Sequence, residues 1–192
     1  MRHIPLLIAT LVAVPGAASA QVLDEARFGV TAHNTCVLYC DNSYKEDGPN
    51  LNGEIVLNSP DFLELVWSPR PYAMASVNTA GNTSFAGAGL YWNWDFAGGW
   101  SFEPGLGYVV HDGELDFPFP QGDPRGDAFT EENVLLGSRD LFRTSFALNY
   151  SFNERWGGQV LYEHLSHGQI LGSGRNQGMD NLGVRVIYAF GH

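Results

Sequence analysis

Three residues near the C-terminus have the types and the spacing that nucleophilic chemistry needs. His164 and Ser166 lie two positions apart in an alternating segment, so a strand would put both on one face, with Cα atoms about 6–7 Å apart. Asp180 is in phase with Leu182 on the next alternating segment, which predicts the same surface of the neighbouring strand. A serine needs a base within hydrogen-bond reach, and a carboxylate orients that base. The pattern predicts acyl transfer; the alternative is an ordinary polar end of two strands.

The elements that must position these residues are short alternating segments separated by turn residues. We predict eight strands, at residues 25–35, 53–67, 72–79, 84–96, 100–111, 137–152, 156–167 and 180–190. Their connections alternate between long and tight, and the longest connection, residues 112–136, contains seven acidic residues. Long loops on one side and tight turns on the other are typical of an outer-membrane barrel.

The two faces of the strands differ in a way that distinguishes a membrane barrel from a soluble one. In the segment 100–110, large apolar residues such as Phe102 and Leu106 alternate with small or charged ones. Across the strands, the charged face carries Glu103, Arg143, Glu163 and Arg185, which we expect to pair inside a narrow lumen. A soluble barrel has the opposite arrangement, with apolar groups inside.

The predicted fold is therefore all-β: an eight-stranded antiparallel transmembrane β-barrel of the outer-membrane type. A soluble sandwich or a soluble lipid-binding barrel is the alternative, and it predicts aromatic side chains inside. The formal net charge of −11 argues against nucleic acid as a partner, because binding a polyanion needs a basic face.

The N-terminus predicts export from the cytoplasm. A short positive start, an apolar run from Ile4 to Val14 and the small residues Ala18-Ser19-Ala20 have the pattern of a secretory signal peptide. We expect residues 1–20 to be removed and residues 21–192 to form a single β-barrel domain. In an oxidising compartment, Cys36 and Cys40 either pair within a bent loop or stay free thiols, and we expect the disulfide. No residues cluster at metal-ligand spacing, so no metal is predicted.

The hairpin that carries His164 also resembles a known family. The letters HLS at 164–166 and NQGMDNLGVR at 176–185 resemble the C-terminal hairpin of the outer-membrane lipid A 3-O-deacylases. Further similar stretches are RP at 70–71, SVNTAG at 76–81, GSR at 137–139 and LFR at 141–143.

The resemblance implies a barrel enzyme that removes the ester-linked 3-O-acyl chain from lipid A of lipopolysaccharide. Ser166 would be the nucleophile, His164 the base and Asp180 the acid, without a cofactor. Two positions depart from the family's pattern, since the acid is commonly Glu and the residue after the serine is commonly Asn. Here that residue is His167, so His167 or the loop at Gly168 would stabilise the oxyanion.

The apolar residues beside this hairpin are expected to hold the acyl tail. They are Val160, Tyr162, Leu182 and Val184. The implied partners are lipid A and the lipid of the Gram-negative outer membrane, where we expect the barrel to reside. The sequence leaves open whether the protein forms a homodimer. The competing interpretation is a non-enzymatic outer-membrane barrel with a structural or adhesive role.

Overall fold

The computed structural model describes residues 22–37, 41–120 and 122–191 of the 192-residue chain. The predicted signal peptide, residues 1–20, lies outside these described residues. Cys36 is disulfide-bonded. Cys40 also lies outside the described residues, so its pairing with Cys36 stays a prediction.

The described residues form one closed antiparallel sheet of nine strand segments. These are β1 Leu23–Ala32, β2 Pro49–Leu57, β3 Arg70–Asn78, β4 Phe85–Tyr91, β5 Trp94–Phe96, β6 Trp100–His111, β7 Asp140–Ser151, β8 Trp156–Ser166 and β9 Met179–Ala189. Pairing of β1 with β9 closes the sheet. Because β4 and β5 pair with successive parts of β6, they share one strand position, and the barrel is eight-stranded as predicted.

The predicted strand 84–96 is divided into β4 and β5, and two further segments differ from the sequence prediction. The strand predicted at 53–67 ends at Leu57, and Asp61–Val66 forms a short 3₁₀ helix instead. The letters DFLELV do not alternate, which explains why this segment leaves the sheet. The long connection at 112–136 contains a helix, α1 (Arg125–Glu132), which begins directly after Pro124. Among the described residues, no helix has the length and apolar character needed to cross a membrane.

The two surfaces of the barrel have the inside-out arrangement that the alternation predicted. Large apolar side chains face outward along every long strand, and Leu106 and Val184 are 57% and 61% exposed. The lumen holds the charges instead, and Arg27, Arg143, Glu103 and Glu163 are all fully buried. A barrel with a charged interior and an apolar wall is of the outer-membrane type.

The lumen charges are paired, as expected, although with more partners than the four predicted residues. Arg143 Nε binds Glu163 Oε2 at 2.6 Å, and Arg185 Nη1 binds Glu54 Oε2 at 3.0 Å. Glu103 accepts hydrogen bonds from Arg27, at 2.6 Å, and from Arg70. Arg27, Glu54 and Arg70 were not among the lumen charges predicted from the sequence.

One end of the barrel carries the described parts of four connections, residues 33–37 with 41–48, 79–84, 112–120 with 122–139, and 167–178, and we call it the loop end. The buried Glu46 connects three of these loops. Its carboxylate meets His33 Nε2 at 3.2 Å and accepts hydrogen bonds from the backbone N–H groups of Thr83, at 3.2 Å, and Val134, at 2.8 Å. Burial raises the pKa of Glu46, but the contacts from His33, Thr83 and Val134 outweigh it and hold the pKa below the ordinary value.

Candidate active site

His164 and Asp180 face each other across the β8–β9 hairpin at the loop end. They are direct cross-strand partners, and His164 Nδ1 lies 2.6 Å from Asp180 Oδ1. An ionised carboxylate can only accept hydrogen bonds, so the imidazole carries its proton on Nδ1. The basic lone pair is then on Nε2, which is the tautomer that a general base needs.

Asp180 is buried even though it belongs to the outward phase of β9. Its side chain has no exposed surface, whereas Leu182, the next outward residue, is 41% exposed. The β1–β2 loop packs against the start of β9: the Thr35 N–H donates to Asp180 O at 2.7 Å. Asn42 Nδ2 donates to Gly178 O at 3.0 Å. A carboxylate without exposed surface interacts more strongly with a neighbouring imidazole than a solvated carboxylate does.

Ser166 lies two residues beyond His164 on the same outward face of β8, directly opposite Phe142 of β7. Its side chain is half-buried at the last position of the strand. Among the described residues, no hydrogen bond joins Ser166 Oγ to His164. Catalytic hydrogen bonds often tighten only when substrate binds, and rotation about χ1 moves Oγ without moving the backbone.

His167 does not fit the oxyanion role that the sequence analysis gave it. Its ring is buried, Nε2 donates to Arg175 O at 2.8 Å, and Nδ1 accepts from the Gln169 N–H at 3.1 Å. Both ring nitrogens are therefore engaged in holding the β8–β9 loop, and neither can donate to a group bound at Ser166. We correct this part of the prediction: His167 positions the loop from inside.

Gly168 is better placed to donate to an oxyanion. It is exposed, it has a φ of +59°, and it packs against Phe142, which is the residue directly across from Ser166. Among the described residues, its N–H has no backbone or side-chain acceptor. A backbone N–H beside the nucleophile is a common oxyanion donor.

Gly178 is a site residue that the sequence analysis missed. It has a φ of +66°, and a Cβ at this position would stand 3.1 Å from His164 Cε1. Only glycine combines this backbone conformation with so close an approach to the imidazole. A glycine directly before a strand, as Gly178 is before Met179, is a turn signal that the sequence shows. Its contact with His164 depends on the fold of the loop.

The four residues predicted to hold an acyl tail form one patch of the outer wall. Val160 is opposite Val184 and Tyr162 is opposite Leu182, so the patch begins directly beside the His164–Asp180 pair. Val160 and Val184 are at least half exposed. Among the described residues, no group of three or more His, Cys, Asp or Glu side chains is arranged to hold a metal ion.

Comparison with known proteins adds two findings to this geometry. A family model described as lipid A 3-O-deacylase (PagL) matches residues 37–189 of the chain. No curated protein sequence matches it. Among solved structures, the chain is similar to "Crystal structure of the outer membrane enzyme PagL", with a TM-score of 0.58 and 14% identity over 85% of this chain and 97% of that one. At this identity, the likeness supports the fold alone.

A second solved structure is the Yersinia pestis outer membrane protein Ail in a phospholipid bilayer nanodisc. Its TM-score is 0.42 and its identity 10%, over 87% of this chain and 99% of that one, and it carries no argument. The family match covers most of the chain, including His164, Ser166 and Asp180. The chain belongs to the lipid A 3-O-deacylase (PagL) family and is a carboxylic ester hydrolase.

Proposed function

We propose that this protein hydrolyses the ester bond at the 3 position of lipid A, with Ser166, His164 and Asp180 as its catalytic residues. The observation that carries the proposal is the 2.6 Å contact between His164 Nδ1 and Asp180 Oδ1. This contact orients His164 as a base two residues from Ser166, on the outer wall of a barrel from a deacylase family.

The reaction begins when His164 Nε2 takes the proton of Ser166 Oγ, which attacks the ester carbonyl carbon. The oxyanion of the tetrahedral intermediate accepts a hydrogen bond from the Gly168 N–H. The bond between the carbonyl carbon and the sugar oxygen then breaks, and the imidazolium protonates that oxygen. Asp180 stabilises the imidazolium throughout these steps and stays ionised.

The second half of the reaction releases the acyl chain. A water molecule loses its proton to His164 and attacks the acyl group on Ser166. The bond to Ser166 Oγ breaks, the proton returns to Oγ, and a free fatty acid leaves. Both transfers use the same base, so one oriented histidine serves the complete cycle.

We infer that the protein works in the outer leaflet of the Gram-negative outer membrane. The support is the apolar outer wall, on which Val160, Tyr162, Leu182 and Val184 extend from the site toward the middle of the barrel. A substrate in the leaflet would lay its acyl chain along this patch and present its ester to Ser166. In this arrangement, lipid A does not need to leave the membrane.

The test compares lipid A from cells that make the wild-type protein with lipid A from cells that make Ser166→Ala. We expect mass spectrometry to show loss of one ester-linked hydroxyacyl chain for the wild type only. Ser151→Ala is the matched control, because Ser151 ends β7 at the far end of the barrel, and it should retain activity. Heat-modifiable gel mobility checks that each variant is folded.

Unchanged lipid A from both the wild type and Ser166→Ala, with folded barrels in the outer membrane, would contradict the proposal. The non-enzymatic barrel would then be the better interpretation. Loss of activity in Ser151→Ala as well would show that the assay reports folding rather than chemistry.

A further inference from the structure

We propose that the Tyr162 hydroxyl is a positioning group for the catalytic acid, in addition to any contact that its ring makes with an acyl chain. The inference rests on the proposed function. Tyr162 OH donates a hydrogen bond to Asp180 Oδ1 at 3.0 Å, and this is the same oxygen that contacts His164 Nδ1 at 2.6 Å. From the sequence, Tyr162 was expected only to help hold the acyl tail.

The strand register explains how a tyrosine reaches this carboxylate. Tyr162 is directly opposite Leu182, whereas Asp180 lies two residues away on β9, opposite His164. Diagonal neighbours in an antiparallel pair are about 7–8 Å apart, a gap that a long aromatic side chain can cross. His164 therefore contacts Asp180 from directly across the hairpin and Tyr162 contacts it along the diagonal.

The ring of Tyr162 is held in place by its neighbours on the outer wall. It stacks on Phe146 with a centroid distance of 6.5 Å and an interplanar angle of 4°. Phe146 stacks in turn on Phe102, at 6.2 Å and 3°. Three parallel rings on β6, β7 and β8 thus fix the plane in which the Tyr162 hydroxyl lies, which reduces the entropy lost when it binds Asp180.

Holding Oδ1 has a direct consequence for the base. Because His164 and Tyr162 share one oxygen, rotation of the Asp180 carboxylate would break both contacts together. A second donor therefore keeps the carboxylate in the orientation that fixes the His164 tautomer. The Tyr162 hydrogen bond acts when the imidazolium forms, so its loss should lower kcat rather than weaken substrate binding.

The test uses purified full-length protein and lipid A in detergent micelles. Tyr162→Phe removes only the hydroxyl, and we expect kcat to fall about tenfold with KM changed less than twofold, in line with a hydrogen bond to a charged group. Tyr162→Leu also removes the ring and should raise KM in addition. Tyr150→Phe is the matched control, because Tyr150 faces outward near the far end of β7, and it should change neither constant.

A double-mutant cycle shows whether Tyr162 acts through Asp180. In the Asp180→Asn background, measured in single turnovers with excess enzyme, Tyr162→Phe should cause no further loss. Unchanged kcat in Tyr162→Phe, or full additivity with Asp180→Asn, would overturn the positioning role. If the wild type releases no fatty acid at all, the proposed function fails and this inference fails with it; an active wild type separates the two results.

Discussion

His164 and Asp180 are direct cross-strand partners whose side chains meet at 2.6 Å between Nδ1 and Oδ1. This register fits the role of catalytic acid that we propose for Asp180. Partners directly opposite in an antiparallel pair have Cβ atoms about 4.5–5.5 Å apart, so a short carboxylate reaches the imidazole without an additional methylene. The length of the Asp180 side chain thus fits the local geometry of the hairpin.

We first predict that the two conservative changes at Asp180 have unequal effects. Asp180→Asn removes the charge that stabilises the imidazolium and permits the wrong tautomer, so kcat should fall about 10³–10⁴-fold. Asp180→Glu keeps the charge but displaces the carboxylate by one methylene in a buried position, so we expect a smaller loss of about tenfold. Steady-state release of fatty acid from lipid A measures both.

The control for Asp180 is Asp123→Asn, in the loop before α1, which should retain full activity. Equal rates for Asp180→Asn and the wild type would contradict the assignment of the acid. A rate for Asp180→Glu above that of the wild type would show that the register favours the longer side chain after all.

The alternation of residue types was sufficient to predict the barrel, its inside-out character and the shared surface of His164, Ser166 and Asp180. A period-two pattern defines the face of the sheet on which each residue lies, and this assignment stays correct when a strand boundary is wrong by a few residues. The segment at 61–66 was mistaken for strand because its apolar content resembles a buried strand, and only its lack of alternation marks the 3₁₀ helix.

The contacts that refine the site could not be read from the sequence. Whether Tyr162 reaches Asp180 depends on register, and a hairpin with a long loop leaves the register open. The engagement of His167 with Arg175 O and with the Gln169 N–H depends on how the loop folds back. Arg27 and Glu54 could have been predicted as lumen charges from the alternation of residues, as Arg143 was, because each faces the lumen from its strand.

We next predict that Gly178→Ala lowers activity because the added methyl group displaces the imidazole of His164. A methyl group at this position would stand 3.1 Å from His164 Cε1 and 3.7 Å from Nε2, on a backbone with a φ of +66°. The imidazole must shift, and a displacement of this kind can cost up to about 100-fold in kcat. Assays of fatty acid release measure the change.

Gly174→Ala is the matched control for Gly178, because it lies in the same loop and has a φ of +92° but open space around it. It carries the backbone strain, about 1–2 kcal/mol, without the contact to His164. Similar activity losses in the two variants would assign the effect to loop strain rather than to the imidazole.

Arg143 should contribute strongly to the stability of the folded barrel. It is fully buried and donates from Nε to Glu163 and from Nη1 to the hydroxyls of Tyr72 and Tyr91 at 2.9 and 2.8 Å. Arg143→Met leaves the Glu163 carboxylate without its cation, at a cost of about 3–5 kcal/mol. Urea unfolding in detergent, followed by tryptophan fluorescence, measures the loss.

The double variant Arg143→Met with Glu163→Gln removes both charges of that pair. It should be more stable than Arg143→Met alone, because most of the cost comes from the unpaired buried charge. If the double variant is less stable than the wild type by the sum of the losses in the two single variants, the two residues do not act as a pair.

The last prediction concerns the pH dependence of the loop end. Since contacts from His33, Thr83 and Val134 hold the pKa of Glu46 below its ordinary value of 4.5, the ionised form stabilises the fold. This contribution is complete above the unfolded pKa and disappears as the pH falls through the lower folded value. Glu46→Gln should therefore lower the free energy of unfolding by about 1–3 kcal/mol at neutral pH. The difference in stability between Glu46→Gln and the wild type should narrow steadily below pH 4.5.

The midpoint of the heat-induced gel mobility shift, measured from neutral pH to below pH 4.5, tests the prediction. Glu131→Gln, an exposed change in α1, should track the wild type at every pH. A gap between Glu46→Gln and the wild type that stays constant into the acid range would show that the charge of Glu46 is not the source of the stability.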